Sequence, residues 1–335
     1  MFWNRILIIY LLFIIGCSNT NLQVKDIIWI GHSDESNYSW SNDGQWVAFG
    51  CQGNLWIANI EGRKFRLTFN NGKDPSWSPD NNKILYIFAG NLWVNDINSF
   101  KDIQLTTDGK SSEVRWSPDG RAIVFVKEGN IWVMNSDGSG QRQLTTGNDC
   151  NHPLFSPMGD KIAFSSSRSG GMEADIWLIH PDGTPLRKLS KGGKNMVWSP
   201  DGSKIICSGP WTDGRYYGHA FYIIDVTTQK VKSIKILETT PPLFYIPLLF
   251  SSIIIGDINY TNYSLSWSPN GSRIVFDNEI RRKTNIYAIS SSGRDLCQLT
   301  STGDATRPVW SPDGNKIMFK SGDNIGILVL SEQDK

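Results

Sequence analysis

Five times along the chain a polar turn gives way to a short apolar run of alternating character: Ile84, Leu85, Tyr86; Ile123, Val124, Phe125; Ile162, Ala163, Phe164; Ile274, Val275, Phe276; and Ile317, Met318, Phe319. Runs of this kind between turn signals read as β-strands. A further strand with an aromatic mark follows, at Trp56, Trp93, Trp132, Trp177, Tyr222 and Tyr287. Another apolar mark comes 11 or 12 residues later, at Leu67, Leu105, Leu144, Leu189, Ile234 and Leu299, where a fourth strand is expected.

The turns that start these runs are copies of one segment. Trp-Ser-Pro-Asp-Gly stands intact at 116–120, 198–202 and 310–314, and in worn form from Trp40, Trp77, Phe155 and Trp267. Pro presets the backbone angle of one corner, Asp tolerates the next and bonds nearby amides, and Gly accepts positive φ. The starts lie 37, 39, 39, 43, 69 and 43 residues apart. Four strands and a turn repeated near every forty residues define a β-propeller blade. The seventh unit ends after its third strand, at 325–330, while residues 27–30 form an apolar run ending 10 residues before Trp40, the spacing that a fourth strand keeps elsewhere. The sequence therefore predicts an all-β fold: a seven-bladed propeller of four-stranded blades, closed by the N-terminal strand joining the C-terminal blade. Closure also removes exposed sheet edges. The tryptophans of the two aromatic slots are expected to pack blade against blade.

Ahead of the repeats, residues 6–15 are apolar behind a single positive charge, and Ile14, Ile15, Gly16, Cys17 resembles the bacterial lipoprotein signal that ends at a lipidated Cys. The run is too short to span a bilayer. The expected organisation is a signal peptide over 1–16, a lipidated Cys17 with a polar tether over 17–26, and a propeller over 27–335. Ser18 after the Cys points to the outer membrane, periplasmic side, in a Gram-negative envelope. With 33 basic and 32 acidic residues the chain has no footprint for nucleic acid. Cys51, Cys150, Cys207 and Cys297 show no metal-site spacing and read as buried free thiols. No cofactor is implied, and a monomer is expected.

Alternating strand direction places the Trp-Ser-Pro-Asp-Gly turns and both chain ends on one face, toward the membrane. The opposite face holds the channel mouth. The residue three before each motif aromatic starts the innermost strand there, and all seven are polar: Asn37, Asp74, Glu113, His152, Asn195, Ser264 and Arg307. They are the candidate ligand-binding ring. Three of them, Asp74, Glu113 and His152, carry metal-donor atoms on successive blades. Beside the ring, the 69-residue gap hides an insert at about 237–258 with an apolar, proline-interrupted stretch, and the loops of units four to six read as long. Trp211, Arg215, Tyr216 and Tyr217 in the loop 208–218 carry the aromatic and Arg mixture favoured at interfaces.

The repeats resemble the WD-like propeller units of the TolB family and those of prolyl oligopeptidase propellers, over about residues 27–330. The resemblance implies the architecture and leaves function open. No Gly-x-Ser-x-Gly elbow is present, so peptidase chemistry is not carried over. The expected function is a non-enzymatic, lipid-anchored envelope scaffold binding a protein, peptide or glycan at the mouth. The alternative is a metal-assisted polysaccharide lyase using His152 with Asp74 and Glu113.

Overall fold

The structure is a computed structural model that describes residues 22–33, 37–68, 72–167, 174–190, 193–212, 217–235, 264–280 and 282–331. The expected signal segment, Cys17, and the insert 237–258 lie outside the described residues. Among the described residues, seven antiparallel sheets of four strands each follow one another around a ring. Six are built from consecutive strands. In the seventh, the closing strand Gln23–His32 pairs antiparallel with Asn324–Ser331. That strand starts four residues before the expected apolar run, so residues 23–26 are ladder rather than tether. Among the described residues no helix is long and apolar enough to cross a membrane.

Each repeated turn is held by the same local chemistry. The Ser117 hydroxyl accepts the Ala122 N–H at 2.9 Å and donates to Asp119 at 2.6 Å, while Asp119 accepts the Arg121 N–H at 3.1 Å. Ser41, Ser78, Ser199, Ser268 and Ser311 repeat the arrangement. Blade 4 departs from it, since Met158 replaces the acid and Ser156 turns to Asp160 instead. Gly120, at φ 71°, sits with its missing Cβ 3.5 Å from Pro79 of the preceding blade, so the turn and the seam are fixed together.

These turns give the fold an acid limit. The Ser199 hydroxyl and the Ser203 N–H hold the Asp201 carboxyl down to about 2, from an ordinary value of 3.8. Asp80 and Asp119 are lowered too, foremost by Ser78 and Ser117. A folded pKa below the unfolded one contributes stability that is present above about pH 4 and is lost as pH falls toward about 2. The melting temperature is expected to decline across that window, and Asp201→Asn to make the decline shallower. An acid limb identical in the variant would contradict the assignment.

The core is not central. It divides into seven apolar clusters, one at each seam between blades. The motif tryptophans Trp40, Trp77, Trp116, Trp198, Trp267 and Trp310 are buried in them. Indole N–H groups of Trp40, Trp116 and Trp198 reach carbonyls of the preceding blade, at Val309, Ser76 and Leu154. In the second aromatic slot Trp56, Trp93, Trp132, Trp177 and Tyr222 are half-buried and Tyr287 is buried, and lysines lie over Trp56, Trp132 and Trp177. The apolar marks at Leu67, Leu105, Leu144 and Leu299 fall just past the outer strands, where each N–H returns to a third-strand carbonyl. Four of the following threonines, Thr68, Thr106, Thr145 and Thr300, accept a third-strand N–H.

In the seventh blade the second aromatic slot holds Gly326. A Cβ there would stand 2.6 Å from the Phe319 ring. Trp29 of the closing strand pairs with Gly326 and meets Phe319 at 5.7 Å, edge to face. The chain's two ends therefore share one aromatic contact that other blades make within themselves, as Phe125 does with Trp132. Cys51, Cys150 and Cys207 are buried thiols outside any disulfide. Cys297 departs from the four free thiols expected, being disulfide-bonded.

Candidate functional site

Five of the seven inner strands carry one residue more than their neighbour can pair. In blade 2, Lys73 faces Ile87 and the next pair is Ser76 with Leu85; the same slip occurs in blades 3, 4, 5 and 7. Such a bulge bends the strand and re-aims a side chain. The slip is taken up by a left-handed residue in every case: Asp74 (φ 55°), Glu113 (49°), His152 (55°), Asn195 (53°) and Arg307 (56°). These are members of the polar ring predicted at the mouth. A non-glycine residue in this region costs on the order of 1 kcal/mol. The cost recurs five times around one opening, on side chains that contribute nothing to the apolar seams.

The ring is stitched across blades. Asn37 donates to Asp74 and accepts from Arg307 Nη1 at 3.2 Å. The His152 N–H donates to Glu113, whose other oxygen stands 3.7 Å from His152 Nε2. Ser264 and Arg307 both give their backbone N–H to the buried Asp277, at 2.7 and 2.8 Å. Burial pushes the Asp277 carboxyl above the usual range, and those two N–H groups counter it. Tyr38 donates to the Arg307 carbonyl, and burial raises its phenol as well. The predicted ring residues are thus brought together, but in two sets: Asp277, Ser264, Arg307, Asn37 and Asp74 on one side, Glu113 and His152 on the other. Asn195 reaches Ser208 within its own blade at 3.5 Å. Asp74 turns to Asn37 rather than to the Glu113 and His152 pair, and among the described residues no three His, Cys, Asp or Glu side chains converge.

A second tier went unread in the sequence. The residue following the second-strand aromatic or its equivalent is Ser165, Ser208 or Asp277 in blades 4, 5 and 6, each bonded to the ring residue 13 positions earlier. The signal was available, because blades 2 and 3 have Ile87 and Val126 at that register. Arg115 was missed as well. It sits directly before Trp116 on an inner strand, where its guanidinium donates to the Val114 carbonyl at 2.7 Å and remains open to water.

The segments expected as long loops on blades 5 and 6 are largely strand. Lys204–Thr212 pairs with Tyr217–Asp225, nine residues each, and Arg273–Ile280 with Lys283–Ser290, eight each, against six in the same hairpins of blades 1 to 3. Each extra residue adds about 3.3 Å, so the two hairpins stand about 7–10 Å above the rim. The backbones of Trp211 and Tyr217 are in the blade 5 hairpin. Arg215 and Tyr216 lie outside the described residues.

The ring, its tiers and its closure define a seven-bladed propeller with a polar, strained channel mouth. Residues 74–235 match the TolB beta propeller domain family. A 50-residue stretch, 15% of the chain, is 44% identical to the Tol-Pal system protein TolB of Nitrosospira multiformis and spans 11% of that protein's length. Among solved structures, TolB from Acinetobacter baumannii superimposes with a TM-score of 0.53 at 22% identity, over 77% of this chain and 62% of that one. An oligogalacturonate lyase from Vibrio parahaemolyticus gives 0.70 at 17% identity, over 95% and 96%. At these identities the solved structures speak to the fold. The chain carries TolB-type β-propeller repeats over residues 74–235 within its seven-bladed ring.

Proposed function

We infer that this propeller is a binding scaffold of the bacterial cell envelope, held to the membrane through a lipidated Cys17, with its mouth engaging a protein, peptide or glycan. The observation that carries the reading is the strained ring: five left-handed residues aim polar side chains into an opening where packing has no use for them. The raised hairpins of blades 5 and 6 add a wall on one side. The likeness to the Tol-Pal system protein TolB supports the envelope setting and a protein partner.

The test is site-specific photocrosslinking in the native membrane. A crosslinker replacing Asn195 or Asn37 on the rim is expected to capture a partner. One replacing Met158, which is 81% exposed on the turn face, is not. Equal capture from both faces, or none from the rim, would reject the mouth. Mass spectrometry of the mature N-terminus tests the anchor, since an unmodified Cys17 refutes it. Run with and without reductant, the same spectrum shows whether Cys17 carries a disulfide, which lipidation of its sulfur would preclude.

A lyase reading draws on the likeness to the Vibrio parahaemolyticus enzyme and to an oligogalacturonate lyase in complex with manganese. It needs Asp74 beside His152 and Glu113, and Asp74 is committed to Asn37. Stoichiometric metal in purified protein, lost on His152→Ala, would favour it over the scaffold.

A further inference from the structure

Seven residues directly precede the motif aromatics and line the inner strands. Six are uncharged: Ser39, Ser76, Leu154, Val197, Ser266 and Val309. The seventh is Arg115. Two of the others show where this position faces: the Ser39 and Ser266 hydroxyls meet the N–H groups of Trp77 and Trp310 on the next inner strand. Arg115 is therefore a single cation in the wall of the channel, one level inside the ring.

Its donors are largely unused. A guanidinium offers five N–H donors, and among the described residues Arg115 spends one on the Val114 carbonyl and joins no ion pair. Desolvation by the surrounding channel wall pulls its pKa below the arginine norm, and Asp74 and Glu113 counter this through space. Both carboxylates are engaged elsewhere, Asp74 by Asn37 and Glu113 by the His152 N–H. The guanidinium is thus oriented by the wall and faces water.

A planar fork of this kind matches a carboxylate. The surroundings select the type of carboxylate. Asp74 and Glu113 flank the entrance and Asp277 lies behind the rim, so a chain with an acid on every unit meets repeated like-charge repulsion. A single carboxylate at the end of an otherwise neutral chain does not, and the amides of Asn37 and Asn195 suit peptide groups on the way in. Capture of a terminal carboxylate is a recurring mode of peptide recognition.

We propose that Arg115 receives the free C-terminal carboxylate of a peptide or protein tail that enters the channel from the mouth. This rests on the mouth being a binding face, and it names the chemistry of what binds there.

The test presents the full chain with a pool of random hexapeptides, synthesised once as free acids and once as C-terminal amides, and reads retention by mass spectrometry. Wild type is expected to retain the acids about tenfold over the amides, a factor equal to about 1.4 kcal/mol. Arg115→Gln is expected to erase the difference at an unchanged melting temperature. Asp74→Asn, which removes a competing charge, is expected to raise retention of the acids. If Arg115→Gln fails to fold, Arg115→Lys carries the test, with a partial preference expected because the charge remains and the fork is lost. Equal retention of both pools by wild type, or a preference surviving in a folded Arg115→Gln, overturns the proposal while leaving the mouth as a binding face. Retention of neither pool overturns it too, and rim crosslinking then decides the broader reading independently.

Discussion

Deleting residues 23–32 is expected to abolish the stable monomer, lowering the melting temperature on the order of 10 °C or more and driving the protein to aggregate. Eight register pairs join this strand to Asn324–Ser331, the last strand of the chain. Without it that strand becomes a bare edge, and Val24 and Ile27 leave the seam between blades 6 and 7. Ile28 and Ile30 leave the seam between blades 7 and 1, so one deletion opens the ring on both sides. A synthetic peptide covering residues 22–33, added in excess, should restore the melt by mass action. Differential scanning calorimetry with size-exclusion chromatography reads both effects. A truncated protein that stays monomeric with an unchanged transition would show that the ring closes by other contacts.

The second large effect is expected at Trp116. Its ring is buried between Leu85, Ile87, Leu92 and Val94 of blade 2 and Ile123, Phe125 and Met134 of blade 3. Trp116→Ala should cost about 3–5 kcal/mol in a denaturant titration. The indole also donates to the Ser76 carbonyl at 3.1 Å, so Trp116→Phe should lose about 1 kcal/mol for that bond besides its change in shape. Trp77 supplies the control, since its buried Nε1 has no hydrogen-bond partner. Trp77→Phe should therefore be the milder of the two phenylalanine substitutions. Equal losses would mean that the indole hydrogen bond does not tie the blades together.

Much of this architecture was legible beforehand because a propeller repeats its local chemistry. Pro, Asp and Gly specify a turn through backbone angles, and Trp recurs wherever a seam must be filled, so spacing alone yields the blade count and the closing strand. Leu189 and Ile234 fall inside their outer strands, whereas in four blades the conspicuous Leu marks the residue that follows the ladder. The loops of blades 5 and 6 were misread, because Gly, Pro and Asn near 208–218 and 278–284 look like turn residues while the backbone continues to pair. Among the candidate residues, the ring was placed on the inner strands through its register three before the motif. Arg115 was overlooked one step away, at a position where the other six copies give no hint of function.

By itself the sequence determined the repeat, the all-β class, the order of blades and the polarity of the mouth, since each follows from residue types at fixed offsets. Tertiary structure decided what those polar residues do. Whether Asp74 meets His152 or Asn37, and whether Arg115 finds a carboxylate partner, depends on bulges that rotate side chains across a ring. Contacts between blades join residues roughly forty positions apart, or at opposite ends of the chain as with Trp29 and Phe319, and no local pattern encodes the angle at which they meet.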